Sequence, residues 1–293
     1  MKTAIATDTN SGLKKEEGAG LGVYLLPMPF SISENEFFEG VDLSSEEFFA
    51  KLRADEDIRT SQPSPGQICD FWDNILKENE SLVYIPMSSG LSGTYETAKM
   101  LADEGEYKGR VYVADNKRIS VTQYASVIDA KNMSDLGMSA EAITRALEES
   151  AFNSVIYLTV DTLKYLKKGG RITSAAAALG TLFKIKPVLT IQGDKLDAFA
   201  KVRTMKQAKS VMLNALKKDF AERFSDNKAD KTTLYIAHAD ENELAEEFRQ
   251  EVYEFFNLSP DKHEIKIQEL SLSICTHVGP GTLALAAAQK YEA

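Results

Sequence analysis

The 293-residue chain has the composition of an ordinary globular protein, with 43% apolar and 27% charged residues. Its 44 acidic residues outnumber its 34 basic ones, giving a formal net charge of −10. This balance argues against nucleic acid and anionic membranes as ligands, because basic surface supplies most of the affinity for both. No apolar stretch approaches the roughly 18 residues of a membrane span, so no stable membrane insertion is predicted.

The length favours two cores over one, at about 100–200 residues per domain. We place the predicted boundary near residue 155, which gives domains 1–155 and 156–293. Cys69 and Cys275 are too few and too far apart for a disulfide framework or a cysteine-rich zinc site. The first residues reach a charge at Asp8, which leaves no room for a signal-peptide apolar region. We therefore expect a cytoplasmic protein with reduced thiols.

The first half alternates short apolar runs with amphipathic stretches, a pattern typical of α/β architecture with parallel strands. Ser44 with Glu47 forms a capping box and predicts a helix start. Ser64 with Gln67 forms a second box, followed by Pro65 at the favoured first helical position. The predicted strands are Thr3–Thr7, Gly22–Leu26, Leu82–Pro86, Val111–Ala114 and Val155–Val160.

The second half predicts a smaller α+β domain. A helix over Asp161–Lys168 ends at Gly169-Gly170, and Gly193-Asp194 predicts a hairpin turn. Two alanine-rich segments, Ser174–Phe183 and Gly281–Ala288, are also read as helical. The remaining predicted elements are hairpin strands Val188–Gln192 and Lys195–Phe199, helices near Met205–Phe220 and Glu243–Phe256, and strands Thr233–His238 and Glu264–Leu270.

Several catalytic signatures are absent from the sequence. Gly18, Gly20 and Gly22 fall one residue short of GxGxxG, and no GxxxxGK[ST] or HExxH occurs. The segment Gly90–Thr94 has Thr where GxSxG needs its last Gly. With only three histidines in the chain, there is little material for a histidine-rich metal site. Neither a metal nor a cofactor is predicted.

Three loops rich in hydroxyl and small side chains follow a predicted strand or precede a predicted helix. They are Asp8–Ser11, Thr60–Pro63 and Ser88–Thr94. In open α/β sheets ligands bind outside the carboxyl ends of strands, where helix N-termini also point hydrogen-bond donors. Such loops suit an anion such as a carboxylate or phosphate. Each Ser or Thr taken singly is better explained as a helix cap or turn former, but three such loops together favour a binding site.

Two further motifs carry a cation or an imidazole. Leu166–Ile172 offers the Arg171 guanidinium beside paired glycines, although the same pattern is typical of a helix C-cap followed by a surface arginine. Thr276–Gly281 places His277 in a glycine-rich turn predicted to open the last helix. There His277 would donate to an anion, or would serve a structural role.

Six segments in this order resemble the DegV family of bacterial fatty-acid-binding proteins, whose kinase-linked members are called FakB. The resemblance covers essentially the whole chain and implies a two-domain DegV-like α/β fold, with an N-terminal parallel-sheet α/β domain and a C-terminal α+β domain. The segments are Thr60–Pro63, Ser89–Thr94, Leu166–Ile172, Lys184–Leu189, Lys201–Thr204 and His277–Gly281.

The resemblance also implies a function. A long-chain fatty acid would lie in a buried apolar tunnel, with its carboxylate held by Thr60, Ser61, Ser92, Arg171 and His277. The small side chains of the two alanine-rich segments would leave room for such a tunnel, although close helix packing explains those alanines at least as well. The protein would then be a monomeric carrier, not an enzyme, that presents the acid to a fatty acid kinase for conversion to an acyl phosphate. The alternative is an acyl-group hydrolase or transferase with Ser92 as nucleophile and His277 as base.

Two segments depart from the family pattern. The first loop reads Asp8–Gly12 where the family more usually has Asp-Ser followed two residues later by Asp-Leu. Asp115–Arg118 likewise replaces a more common Asp-Ser. These departures bear on kinase docking or headgroup geometry, and involve none of the five predicted ligand-binding residues.

Overall fold

A computed structural model describes residues 3–179 and 185–291, and these divide into two units. Among these residues, the first unit contains a four-stranded and a three-stranded sheet, and the second contains a six-stranded sheet. The first unit runs to Phe152 and includes Tyr291 near the end of the chain. The second unit is Asn153–Lys290. Within the described ranges, none of the helices has the length and apolar character that crossing a membrane demands.

The first unit alternates strands and helices. Short 3₁₀ turns at Thr9–Ser11 and Gly105–Tyr107 interrupt its loops. Its regular elements are β1 (Thr3–Asp8), α1 (Lys15–Leu21), β2 (Val23–Leu26), β3 (Pro29–Ile32), β4 (Asn35–Phe38), α2 (Ser45–Arg53), β5 (Ile58–Thr60), α3 (Pro65–Leu76), β6 (Ser81–Ile85), α4 (Thr94–Ala102), β7 (Val111–Val113), α5 (Ser120–Asp135) and α6 (Ala140–Glu149).

A parallel sheet with strand order β2-β1-β6-β7 forms the centre of this unit, as the sequence predicts. Helices α3 and α4 cover one face, where Trp72 and Tyr84 are fully buried with ring centroids 5.9 Å apart. Helices α5 and α6 contact the same strands. The side chain of Gln123, on α5, donates to the Thr7 hydroxyl of β1. All parallel strands therefore end at one edge, where the polar loops begin.

A separate antiparallel sheet, ordered β4-β3-β5, was not predicted from the sequence. Its strands are three or four residues long, too short for a period of two to stand out. The sheet ends at Thr60 and leads directly to α3. The capping boxes at Ser44 and Ser64 are both confirmed, including the reciprocal bonds from Glu47 and Gln67.

The second unit is built on a mixed sheet with strand order β10-β9-β8-β13-β11-β12, in which β11 and β12 are parallel and the other neighbours antiparallel. Its elements are β8 (Ser154–Thr159), α7 (Lys164–Gly169), α8 (Ser174–Leu179), β9 (Lys186–Ile191), β10 (Asp197–Val202), α9 (Met205–Glu222), β11 (Thr232–Ala239), α10 (Asn242–Phe256), β12 (Ile265–Glu269), α11 (Leu272–Val278) and β13 (Thr282–Gln289).

The predicted helix over Gly281–Ala288 is wrong, because these residues form most of the central strand β13. Alanine favours helices in isolation, but β13 gains ladder hydrogen bonds from β11 on one side and β8 on the other. Leu283 and Leu285 enter the core formed with α9 and α10, while Ala284 and Ala286 face the opposite side of the sheet. Packing with neighbours thus overrides local propensity.

The other alanine-rich segment is helical over Ser174–Leu179, and its predicted continuation to Phe183 lies outside the described residues, as does Lys184 of the family pattern. The predicted hairpin is confirmed, with β9 and β10 antiparallel. His277 lies in the last turn of α11, so the prediction that it precedes a helix is wrong.

Candidate functional site

Asp8 organises the carboxyl edge of the parallel sheet. Its carboxylate accepts hydrogen bonds from the backbone N–H groups of Asn10 and Met87 and from Nε2 of Gln123, at 3.0–3.1 Å. Burial raises the pKa of Asp8 to about 6, and these donors only partly offset the effect. The residue joins the loops after β1 and β6 to α5, so it acts as a scaffold for the edge.

Ser92 lies just before α4, in the loop that follows β6. Its backbone N–H donates to the carbonyl of Ser88 (3.2 Å), and its hydroxyl shares a hydrogen bond with the hydroxyl of Thr94 (2.9 Å). The N–H of Thr94 also donates to Ser92 Oγ (3.3 Å). The half-buried Ser92 hydroxyl is therefore held at a helix N-terminus, where the helix dipole favours a negative ligand.

Thr60 and Ser61 lie where β5 leaves the antiparallel sheet. Thr60 is half-buried and pairs with Phe30 of β3, while Ser61 is exposed and donates its N–H to the carbonyl of Pro29 (3.4 Å). The next residue, Gln62, donates from Nε2 to Thr97 Oγ1 of α4 (2.9 Å). The Gln62 side chain thus connects the loop of Thr60 and Ser61 to α4, the helix that follows Ser92.

Arg171 is fixed by the backbone on both sides. Gly170 ends α7 in the left-handed conformation, with φ of 67°, and turns the chain towards Arg171. The carbonyl of Arg171 accepts from the N–H of Leu196 (3.0 Å), and its Nη1 donates to the carbonyl of Gly169 (2.7 Å). The predicted helix C-cap is therefore confirmed at the end of α7. The turn at Gly170 and the bond to the Gly169 carbonyl together fix the position of the half-buried Arg171 guanidinium.

His277 packs against the same glycine. A Cβ atom built on Gly169 would lie 1.9 Å from Nδ1 of His277, so only glycine allows this approach. Burial first, and the nearby Arg171 charge second, lower the pKa of His277 to about 4. The imidazole is consequently neutral at pH 7. Arg171 and His277, far apart in sequence, are neighbours in the second unit.

The glycines after His277 serve similar close approaches. A Cβ on Gly279 would lie 2.2 Å from Cδ2 of Tyr165, and one on Gly281 would lie 2.4 Å from Oδ2 of Asp161. Both glycines also have positive φ angles, 77° and 80°. The glycine-rich motif therefore lets the end of α11 pack closely on the segment around α7.

The second departure from the family pattern forms its own polar cluster. Lys117 Nζ lies 2.7 Å from Asp115 and donates to the Ser89 hydroxyl (2.5 Å), which in turn donates to Asp115 Oδ2 (2.6 Å). Burial acts to raise the pKa of Asp115, but bonds from Lys117 and Ser89 outweigh it and lower that pKa. The Asn116 side chain accepts from the N–H of Arg118 (2.8 Å) and shapes the turn before α5.

Thr60, Ser61 and Ser92 belong to the first unit, and Arg171 and His277 belong to the second. Gln62, Asp8 and Gly169 were not among the predicted ligand-binding residues, although each lay inside a motif that the sequence analysis singled out. Among the described residues, no group of three or more His, Cys, Asp or Glu side chains is placed to hold a metal ion. Ligand contacts by the five predicted residues remain a prediction.

Comparison with known proteins places the chain in a family. The sequence model described as "Uncharacterised protein, DegV family" matches residues 2–290. A DegV domain-containing protein of Staphylococcus aureus is 29% identical over 289 residues, with 99% of each chain covered. A solved structure of a fatty-acid-binding DegV family protein from Thermus thermophilus has a TM-score of 0.87 at 30% identity, covering 99% of this chain and 100% of that one.

A fatty-acid-binding DegV from Bacillus subtilis superposes with a TM-score of 0.85 at 26% identity, over 99% of this chain and 100% of the other. Both structural matches span the parallel-sheet unit and the mixed-sheet unit together. The likeness is therefore not confined to a common α/β substructure. With the family model matching nearly the full length, this chain belongs to the DegV family.

Proposed function

We propose that this protein binds a long-chain fatty acid. The observation that carries the proposal is its full-length similarity to the fatty-acid-binding DegV protein of Thermus thermophilus. The DegV of Bacillus subtilis and a fatty-acid-binding relative from Streptococcus agalactiae, at 26% and 27% identity, add to that support. The polar loops at the sheet edge are the local features that fit such a ligand.

The carboxylate would be held by the hydroxyls of Thr60, Ser61 and Ser92, with Arg171 and His277 completing its surroundings. An unpaired carboxylate removed from water is very costly, and charge-assisted hydrogen bonds offset that cost. Support comes from the helix N-terminus behind Ser92 and from the fixed guanidinium of Arg171. His277, neutral when no ligand is bound, would donate from one ring nitrogen.

The acyl chain would lie along the face of the mixed sheet that points away from α9 and α10. Apolar side chains meet there in one row, since Ala284 pairs with Ala237 on β11 and with Leu158 on β8. All three are buried. Each buried methylene contributes about 0.8 kcal/mol, so about 15 of them would supply on the order of 12 kcal/mol before association costs.

Native mass spectrometry of the purified protein tests the proposal. We expect a one-to-one adduct that is lost on unfolding and is identified as a long-chain fatty acid. A serine-reactive fluorophosphonate should leave Ser92 unlabelled, with no ester turnover. Stable labelling of Ser92 with turnover would favour an acyl hydrolase or transferase. A bare protein that takes up no fatty acid on titration would overturn fatty-acid binding altogether.

Single substitutions test the carboxylate contacts. Ser92→Ala and His277→Ala should each weaken fatty-acid binding by about 1–3 kcal/mol, because a charged acceptor loses a donor. Isothermal titration with a long-chain acid measures the loss. Ser45→Ala, at the half-buried first position of α2 and outside the five predicted ligand-binding residues, is the matched control and should leave the affinity unchanged. Unchanged affinity in both test variants would place the carboxylate elsewhere.

We further propose that the protein presents its fatty acid to a fatty acid kinase, a role supported by the resemblance to the kinase-linked DegV proteins. Arg171→Ala should then reduce acyl phosphate formation, in the presence of kinase and ATP, more than it reduces retention of the acid. Arg171 would face the transferring phosphate as well as the bound acid. Equal losses in the two assays would contradict this divided role.

A further inference from the structure

The loops that carry the predicted carboxylate-binding hydroxyls belong to different sheets of the first unit. Thr60 ends β5 in the antiparallel sheet, whereas Ser92 follows β6 of the parallel sheet. Each loop continues from a strand that is held in its own sheet, β5 by pairing with β3 and β6 by pairing with β1. A shared ligand would need a fixed distance between these hydroxyls, within about half an ångström.

Gln62 makes a direct contact between the two loops. It follows Ser61 immediately, and its side-chain Nε2 donates to Thr97 Oγ1, one turn into α4, at 2.9 Å. Its carbonyl end lies over Gly93, because a Cβ atom on that residue would meet Gln62 Oε1 at 2.6 Å. Both ends of one side-chain amide are thus placed against the helix start next to Ser92.

Gly93 has ordinary backbone angles, with φ of −73° and ψ of 1°, at the N-cap of α4. Its backbone conformation therefore does not require glycine, since a residue with a side chain adopts these angles without strain. What a side chain would meet at this position is Gln62. A Cβ atom at position 93 would therefore displace the end of the Gln62 side chain from its place beside the start of α4.

We propose that Gln62 is a positioning residue for the carboxylate site, holding the Thr60–Pro63 loop against the start of α4 beside Ser92. This inference rests on the proposed fatty-acid binding and extends it. Gln62 itself need not touch the ligand. Its hydrogen bond to Thr97 and its close approach to Gly93 set the distance between the hydroxyls of the Thr60–Pro63 loop and that of Ser92.

Three substitutions remove the contact without altering a proposed ligand-binding hydroxyl. Gln62→Met keeps the length of the side chain and loses the donor, and Thr97→Val removes the acceptor. Gly93→Ala pushes the flexible end of Gln62 away. The matched control is Gly66→Ala in the first turn of α3, where a Cβ would meet nothing within 4 Å.

The readout is the ratio of affinities for a long-chain fatty acid and for the alcohol of the same length. Each of the three variants should bind the acid about three- to tenfold more weakly, as for the loss of one hydrogen bond, and bind the alcohol as the parent protein does. Thr97→Ser keeps the hydroxyl that accepts from Gln62, so this variant should show the same affinity ratio as the parent protein. In a Gln62→Met background, Ser92→Ala should cost less than it does alone, because the two residues act together.

Three outcomes separate the possibilities. If the parent protein binds no acid, fatty-acid binding itself fails. If the parent binds the acid and all three variants match it, the positioning role of Gln62 is overturned. Equal losses for the acid and the alcohol would also overturn it, since they indicate a general structural defect. Thermal unfolding of each variant identifies any that fails to fold, and the other two then carry the test.

Discussion

At the scale of single residues, Asp8 shows what a fully buried carboxyl costs the fold. Burial raises its pKa to about 6, against about 3.9 in an unfolded chain. The folded protein therefore holds this proton more tightly than the unfolded one. Its contribution to stability is fully present below about pH 4 and is lost as the pH rises through about 6, on the order of 3 kcal/mol in all.

Asp8→Asn should remove this dependence. We expect the free energy of unfolding of the parent, minus that of the variant, to fall between pH 4 and pH 7. His277 acts in the opposite sense, because its lowered pKa makes stability fall as the pH drops from about 6.5 to about 4. That effect is common to both proteins and cancels in the difference. Urea unfolding of both proteins between pH 4 and pH 7 measures this difference in the free energy of unfolding. A difference that does not change with pH would contradict the raised pKa of Asp8.

At the scale of elements, local signals predict where helices begin. The Ser64 hydroxyl accepts from the N–H of Gln67 (3.3 Å), and Gln67 Oε1 accepts from the N–H of Ser64 (2.7 Å). Both partners lie within four residues, so the sequence alone contains the whole motif. The box also sets where the Thr60–Pro63 loop ends and α3 starts.

Ser64→Ala should destabilise the protein by about 1 kcal/mol through loss of the cap. Ser44→Ala, in the equivalent box of α2, should cost a similar amount. Urea denaturation midpoints of the two variants provide the measurement. If Ser64→Ala leaves the midpoint where it was while Ser44→Ala lowers it, the cap at α3 contributes nothing to stability.

At the scale of the whole molecule, ligand binding should appear as stability. A ligand that binds only the folded chain raises the free energy of unfolding by about 2.7 kcal/mol at one hundred times its Kd. Delipidated protein should therefore melt at a higher temperature when a long-chain fatty acid is added. The alcohol of the same length should raise it less, because it lacks the charge. No shift at saturating acid would contradict specific binding.

The sequence by itself determined the features that depend on near neighbours. The capping boxes, the four parallel strands of the first unit and the hairpin around Gly193 were predicted correctly. The predicted strand Val155–Val160 instead lies antiparallel to both of its neighbours in the mixed sheet of the second unit. The motifs around Thr60, Ser92, Arg171 and His277 were found in order, and with them the family. Each of these signals lies within a few consecutive residues, which is the range over which propensity and turn chemistry act.

Only the tertiary structure decided what distant residues do to one another. Ala284 and Ala286 lie in a strand because β8 and β11 flank them, a fact no alanine run reveals. The closeness of Gly169 to His277, the buried charge of Asp8 and the contact of Gln62 with Thr97 link positions 35 to 115 residues apart. Packing, burial and electrostatics act through space, so these features appear only once the chain has folded.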